Sequence, residues 1–383
     1  MKRYIYADNA ATTKLDTEAF ETMLPWLIEN YGNASQPYFF GKKAAHAIKE
    51  ARQTIAECIN ADPDNIFFTS GGTESDNWAI KCFGVSSTDA KVIVVSAIEH
   101  HAILHACKNQ PNATVTYLPV DKDGIVRGED IVMAFDHSNH PACSRTSYLT
   151  SIMMANNEIG TIMPIKDLAA IAHENGSVFH TDAVQAVGHI PIDVKGLGID
   201  MLSASAHKFN GPKGIGFFYD SGKHVYPHND GGAQEFGMRA GTENVAGIVG
   251  MAVALKNNCA NLESNMKYIM SLEDYFMDLM EHSGVDFIRN GGRNHIPGNI
   301  NLSFRNADGE AILHRLDLKG ICISTGSACD SVNTQISHVI RAIGVPQEYA
   351  NGTIRISLGK YNTLDDCDSI VEALVKILSM SKK

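Results

Sequence analysis

Residues 203–216 read SASAHKFNGPKGIG, and this stretch decides how we interpret the rest of the chain. It follows an apolar run that ends at Leu202 and overlaps a second extended run, residues 215–219. Lys208 therefore comes just after a predicted buried strand, and the ends of strands in an open α/β sheet are where such folds bind ligands. A desolvated lysine amine can be neutral, as Schiff-base chemistry requires. A solvated lysine in a surface loop fits the same residues, because most lysines are exposed.

Strand-like and helix-like runs alternate on both sides of this stretch. Strands are predicted at 65–69, 91–96, 114–119, 148–155, 178–182, 201–204 and 215–219, with helices at 16–26, 44–59, 102–109 and 165–174. This alternation predicts an α/β fold, with a mostly parallel sheet flanked by helices on both faces.

A second pattern begins after the large sheet. A long helical region is predicted from Val245 to about His282, and the order strand, helix, strand follows from Pro297. This order predicts a smaller α+β domain that the N-terminal strand joins. We predict a large domain over 13–256 and a small domain over 257–383 together with 1–12.

Composition excludes several classes of protein. The chain has 383 residues, of which 44% are hydrophobic and 20% charged, as in a globular protein. A net charge of −11 and a pI near 5.8 argue against direct nucleic-acid binding and against acidic membranes. No 18-residue apolar run predicts a membrane helix, and the N-terminus lacks the apolar core of a secretory signal. Eight cysteines without paired spacing favour reduced thiols in the cytoplasm.

Residues 70–75, SGGTES, follow a predicted strand and open a helix. Glycines at that point expose backbone N–H groups, and a helix N-terminus favours an anion. The stretch fits a phosphate-binding turn around Gly72 and Thr73, although a capped helix after a turn fits it equally well.

Asp182 ends another apolar strand, 178–182. A carboxylate there is costly to bury unless it meets a cation, and a protonated pyridine nitrogen is such a partner. An N-cap for the next helix is the alternative. Together with Lys208 and the turn at 70–75, Asp182 completes the set of groups that binds pyridoxal phosphate, and all three lie at strand ends of one predicted sheet.

Cys329 lies in the Gly/Ser-rich stretch 324–331, STGSACDS. An accessible thiol becomes a nucleophile when its pKa falls. Asp330 works against that, and an inert small residue is the alternative.

The chain resembles the cysteine desulfurases of the NifS/IscS type, within the class-V aminotransferase-like, fold-type-I pyridoxal-phosphate enzymes. Beyond the stretches above, the resemblance covers ADNAATT, IEHHAI, MMANNEIGTIMPI, FHTDAVQAVG, GMRAGTEN and IRISLGK, and so extends almost from end to end.

The resemblance implies a role for each matching residue. Lys208 would hold pyridoxal phosphate, and Cys329 would be the nucleophile that takes the sulfur as a persulfide. His100 would stack on the cofactor ring and exchange thiol protons. Residues that would contact the cofactor elsewhere are Gly72, Thr73, Asn157, Asp182, Gln185, Ser205 and His207, with Thr242 reaching the phosphate from the partner subunit. Arg355 and Asn33 would hold the substrate carboxylate. No metal is expected.

The implied activity is removal of sulfur from L-cysteine, giving L-alanine, in a cytoplasmic homodimer that passes the sulfur to an acceptor protein. Iron–sulfur cluster assembly, tRNA thiolation and DNA phosphorothioation remain open as pathways. A selenocysteine lyase, or another class-V lyase or transaminase, is the alternative on the same fold. A non-enzymatic sulfur-transfer scaffold is disfavoured because Lys208, Asp182, Cys329 and Arg355 are all retained.

Three stretches depart from the family pattern. Residues 32–41, GNASQPYFFG, differ at the expected substrate entrance, and residues 134–148 form a longer loop. The chain stops at SMSKK, without the longer tail with which housekeeping members dock an iron–sulfur scaffold. The longer loop contains His137, His140 and Cys143, which are residue types that bind metal ions. Three such residues in a polar loop are weak support for a metal site. His101 and His105 are interpreted as ordinary helix residues.

Overall fold

The fold is built on a central seven-stranded sheet. We describe it from a computed structural model, which covers residues 4–84, 90–136, 146–325 and 336–380. Strand β1 (Ile5–Tyr6) comes first in the chain and lies outside this sheet. The strands of the central sheet are β2 (Ile66–Thr69), β3 (Ala90–Ser96), β4 (Ala113–Leu118), β5 (Thr146–Ser151), β6 (Val178–Asp182), β7 (Met201–Ser205) and β8 (Gly216–Asp220). Their order is β2-β8-β7-β6-β5-β3-β4, and only β8 runs antiparallel to its neighbours. The predicted mostly parallel sheet is confirmed.

Helices cover both faces of this sheet. They are α1 (Thr17–Ile28), α2 (Phe39–Cys58), α3 (Gly72–Lys81), α4 (His101–Lys108), α5 (Gly128–Asp136), α6 (Ile165–Glu174), α7 (Val194–Leu197) and α8 (Val245–Ala260). Adjacent strand residues alternate between two hydrophobic clusters: Val94 belongs to the one that includes α2 and α8 residues, and Ile93 to the one that includes Trp78 of α3. This period of two is what a sheet buried on both faces requires.

A second group of elements completes the described chain. It contains α9 (Leu262–Glu281), β9 (Phe287–Asn290), β10 (Asn299–Phe304), α10 (Gly309–Asp317), β11 (Ile321–Cys322), α11 (His338–Ala342), α12 (Gln347–Ala350), β12 (Thr353–Ser357) and α13 (Leu364–Met380). Strands β12, β10 and β9 form an antiparallel sheet, while β1 pairs in parallel with β11. The N-terminal strand therefore joins this part of the chain. The domain boundaries themselves stay a prediction.

Two predicted elements differ in extent. The helical region 245–282 breaks at Asn261, because α8 packs in the core of the large sheet and α9 packs in the core around β10. The predicted strand 321–325 ends at Cys322, and Ser324 instead bridges Arg355 of β12. The other predicted elements differ by a few residues at their ends, whereas α5, α7 and β9 were not predicted from the sequence. Asp16, the first residue of the predicted helix 16–26, caps α1.

No helix in the part of the chain that the structure describes combines the length and the apolar character needed to cross a membrane.

Candidate active site

The carboxyl ends of β2, β6 and β7 open onto one cavity of about 340 Å³. They share an edge because the three strands run in the same direction in the sheet. Residues of the N-terminal segment, of the segments after β3 and β5, and of β12 complete the lining. It comprises Ala10, Ala11, Gly72, Thr73, Asp76, His100, Met153, Asn157, Asp182, Val184, Gln185, Ser205, His207, Lys208 and Arg355.

Lys208 ends the short 3-10 helix that follows β7. Its Nζ donates to the carbonyl oxygens of Ala10 at 2.7 Å and of Ala11 at 2.9 Å. Its own carbonyl oxygen bonds to His189 Nε2 at 2.9 Å. Hydrogen bonds therefore hold both the side-chain amine and the backbone of Lys208 at the cavity wall.

Asp182 contributes a buried carboxylate to the same cavity. The residue is 5% exposed, and Oδ1 accepts the N–H of Val184 at 2.9 Å. Burial raises the pKa of the Asp182 carboxyl to about 6, although the Val184 bond and the charge of Lys208 oppose the shift. Burying an anion beside one backbone donor is costly, so the position favours a cationic partner.

Further buried polar groups surround Asp182. His180 bridges the hydroxyls of Ser151 and Ser203 at 2.8 and 3.0 Å, and burial lowers its pKa to about 3. The ring is therefore neutral at physiological pH. Asp76 lies 4.0 Å from His180 Nε2, and burial together with the charge of Asp182 raises the pKa of its carboxyl.

The N-terminus of α3 forms another side of the cavity. Its N-cap, Gly71, has φ of 150°, and no side chain caps the helix. A Cβ at Gly72 would lie 2.5 Å from Val184 Cγ2, so the backbone approaches this wall too closely for a side chain. Ser205 and His207 border the same cavity. Uncapped N–H groups beside hydroxyl and imidazole donors can bind a phosphate.

His100 precedes α4 as its N-cap. Its Nδ1 accepts the N–H of Ala102 at 3.1 Å, so the neutral ring carries its proton on Nε2. Burial and, secondarily, the charge of Lys208 lower the pKa of His100 to about 4. The side chain can donate a hydrogen bond from Nε2 into the cavity without carrying a charge.

Arg355 supplies a buried guanidinium from β12. Nη1 donates to the carbonyl oxygen of Asn157 and Nη2 to Asp8 Oδ1, both at 2.8 Å. Nε is buried and has no hydrogen-bond partner in the described structure. The guanidinium therefore keeps donor capacity beyond these two bonds, which suits a carboxylate ligand.

The structure brings most of the predicted site residues together. Asn33 and Thr242 do not line this cavity: Asn33 is half-buried and binds the N–H of Ser35, and Thr242 is exposed. Cys329 lies outside the described residues, as do His137, His140 and Cys143. Histidines 101 and 105 lie on α4 as predicted. Nowhere in the described ranges do three or more His, Cys, Asp or Glu side chains form a group that could hold a metal ion.

Several cavity residues were not selected from the sequence. Ala10 and Ala11 act through their carbonyl oxygens, which leave no side-chain signal. Asp76 directly follows the quoted stretch 70–75, and Asp8, which binds Arg355 at the cavity edge, lies inside ADNAATT; a carboxylate beside small residues is the only available indication of either.

Comparison with known proteins identifies the family. The family model described as aminotransferase class-V matches residues 5–370. This chain belongs to the class-V aminotransferases. The family consists of pyridoxal-phosphate-dependent enzymes, and this member groups with its cysteine desulfurases.

Relatives of this class-V aminotransferase are named as cysteine desulfurases. The chain is 47% identical to "Cysteine desulfurase IscS" of Dictyoglomus turgidum, and the alignment covers 99% of this chain and 95% of that protein. A solved structure titled "NIFS-like protein" aligns with a TM-score of 0.89 at 35% identity, covering 99% of this chain and all of the other. A second, titled "SspA in complex with cysteine", aligns with a TM-score of 0.79 at 33% identity, covering 94% of this chain and all of that one. The predicted family, fold and enzyme class are confirmed.

Proposed function

We propose that this desulfurase uses pyridoxal 5′-phosphate, held by Lys208, to take sulfur from L-cysteine, and that Cys329 carries the sulfur as a persulfide while L-alanine is released. The observation that carries the proposal is the convergence of the Lys208 amine, the buried Asp182 carboxylate and the uncapped start of α3 on one cavity.

The residues fit the cofactor chemically. Asp182 is a buried anion whose environment favours a cation, as the protonated pyridine nitrogen of the cofactor is. The start of α3, with Thr73, Ser205 and His207, offers donors for a phosphate at the same cavity. Gln185 and Asn157 line the cavity and would contact the ring's oxygen substituent. When bound, the cofactor supplies an electron sink for the bonds at the substrate Cα.

Arg355 would bind the carboxylate of L-cysteine. Its two bonds to Asp8 and to the Asn157 carbonyl fix the plane of the guanidinium, which leaves the remaining donors for the ligand. Asn33, which does not line this cavity, would contact the substrate carboxylate from outside it.

Proton movement would involve two side chains. The Lys208 amine would carry the Cα proton, since it borders the cavity and is held by carbonyl oxygens that exchange easily for another partner. His100 would exchange the thiol protons through Nε2, because Nδ1 is occupied by the Ala102 N–H.

We further propose a homodimer. Thr242 is exposed and away from its own cavity, as a residue that reaches the partner's phosphate site would be. Large apolar side chains are exposed along α1 and after it, namely Phe20, Leu24, Leu27, Ile28, Tyr31 and Phe39. A contiguous apolar face of this kind is typical of a subunit interface. A sulfur-acceptor protein in the cytoplasm would complete the pathway.

The test compares the purified holoenzyme with Cys329→Ala, using Cys322→Ala as the matched control. With a dithiol reductant present to release the persulfide sulfur as sulfide, we expect alanine and sulfide in equal amounts from L-cysteine, loss of both in Cys329→Ala, and retention of both in Cys322→Ala. Retention of full activity by Cys329→Ala would overturn the persulfide step and point to a lyase on this fold. Selenocysteine as substrate separates the alternatives further, because a selenocysteine lyase would not need Cys329.

A further inference from the structure

Two cysteines outside the active site lie in contact at the ends of two packed helices. Cys58 is the last residue of α2, and Cys259 is the residue before the last of α8. The two helices pack on each other, and both side chains are half-buried against the same hydrophobic core. Both thiols are free, and each shifts the pKa of the other, as two sulfur atoms close to each other do.

The two thiols are not equivalent. Their interaction raises the pKa of Cys58 and lowers the pKa of Cys259, and burial opposes the second shift. Cys259 also lines a surface groove of about 880 Å³ with Leu262, Glu263 and Lys267, so the residue borders a space that a small molecule can enter. An accessible thiol with thiolate character beside a second thiol is the arrangement found in redox-sensing cysteines.

The other cysteines of the described chain lack these features. Cys82, Cys107 and Cys367 are buried, and burial raises the pKa of each thiol to about 11 or 12. Cys322 is half-buried, and burial also raises its pKa. A reagent that needs an accessible thiolate would therefore select Cys259 among the described cysteines.

We propose that Cys259 and Cys58 form a thiol–disulfide exchange site, which low-molecular-mass disulfides oxidise to an intramolecular disulfide. The Cys259 thiolate attacks one sulfur of the small disulfide, forms a mixed disulfide and releases one small thiolate. Cys58 then attacks the Cys259 sulfur, closes the protein disulfide and releases the second small thiolate. The two protein thiols are oxidised, the small disulfide is reduced to two thiols, and these thiols take up the two protons.

Cystine is the small disulfide that we select as oxidant. This choice rests on the proposed function, since cystine is the oxidised form of the proposed substrate and its reduction returns two molecules of cysteine. The exchange itself needs only the thiol pair and the groove. The closed disulfide would join the end of α2 to the end of α8, and because the linked residues are far apart in sequence it would stabilise the fold against unfolding.

The experiment incubates the holoenzyme with cystine, blocks the remaining thiols and digests with trypsin without reduction. We expect mass spectrometry to find peptide 53–81 linked to peptide 257–267. In Cys58→Ser the exchange stops at the first step, so peptide 257–267 should carry one attached cysteine. In Cys259→Ser neither product should form, while Cys322→Ser, the matched control, should give the same link as the wild type.

Absence of the linked peptides in the wild-type protein would by itself overturn the proposal, whatever the variants show. Cysteine attached to Cys58 in Cys259→Ser would contradict the assigned direction of attack. The readout is independent of turnover: Cys329→Ser should still form the link, so failure of the desulfurase activity and failure of the exchange site are distinguishable. A melting temperature that is higher after cystine treatment in the wild type, but unchanged in Cys58→Ser/Cys259→Ser, would be the second supporting result.

Discussion

Arg355 and Asp8 form an ion pair of 2.8 Å that connects β12 to the segment after β1. Arg355 is 4% exposed, so this pair is shielded from solvent at the edge of the cavity. The carboxylate therefore sets the orientation of the guanidinium that we assign to the substrate.

Asp8→Asn tests this orientation. The variant keeps the size of the side chain but loses the charge, and a hydrogen bond to a charged group contributes about 2 kcal/mol. We expect the KM for L-cysteine to rise by about tenfold or more, with a smaller effect on kcat. Steady-state alanine formation measures both constants, and an unchanged KM would contradict the role given to Asp8.

Asp182→Asn should separate activity from stability. Burial in the folded protein raises the pKa of Asp182 from 3.8, its value in the unfolded chain, to about 6. The protonated carboxyl therefore adds to the free energy of unfolding below pH 3.8, and this contribution is lost as the pH rises through 6. This loss amounts to about 3 kcal/mol above pH 7. We expect cofactor-free Asp182→Asn to be more stable than the cofactor-free wild type at pH 8, and the difference to shrink towards pH 4.

Activity should move in the opposite direction. Without a carboxylate at the ring nitrogen, turnover by Asp182→Asn should fall by about a hundredfold or more, since the electron sink is weakened. Urea unfolding at the two pH values and alanine release at pH 8 are the measurements. A variant that is both active and no more stable than the wild type would refute the assignment.

The exposed apolar face of α1 gives a prediction about assembly. Replacement of Leu27 and Ile28 by glutamate places two charges where a partner subunit would bury apolar surface. We expect a monomer in light scattering and loss of most alanine release, because in the proposed dimer the partner subunit's Thr242 completes the phosphate site. Leu318→Glu, at another exposed leucine, serves as the control and should stay dimeric and active. A Leu27→Glu/Ile28→Glu protein that remains a dimer would rule out this face as the interface.

The sequence predicted the parts of the site that lie on regular elements. Lys208 and Asp182 could be placed at one sheet edge because Asp182 ends one short apolar strand and Lys208 follows another, and parallel strands end on the same side. The start of α3 was recognisable from its glycines. Strand alternation together with the glycine turn therefore predicted that these groups share one sheet edge.

Contacts between distant segments could not be predicted in this way. The carbonyl of Ala10 meets Lys208, and Asp8 meets Arg355, only after the N-terminal segment has folded back along β12. Backbone carbonyl groups have no residue-type signature. Cys58 and Cys259 belong to helices whose packing, not their spacing, brings them together, since cysteine pairing cannot be deduced from sequence.

The most direct test of the central claim is a single turnover. Holoenzyme mixed with one equivalent of L-cysteine, without reductant or acceptor, should release one equivalent of alanine and leave one additional sulfur atom on the peptide that contains Cys329. Release of alanine with an unmodified Cys329 peptide, and with the sulfur recovered as sulfane sulfur on another thiol or in solution, would contradict the account.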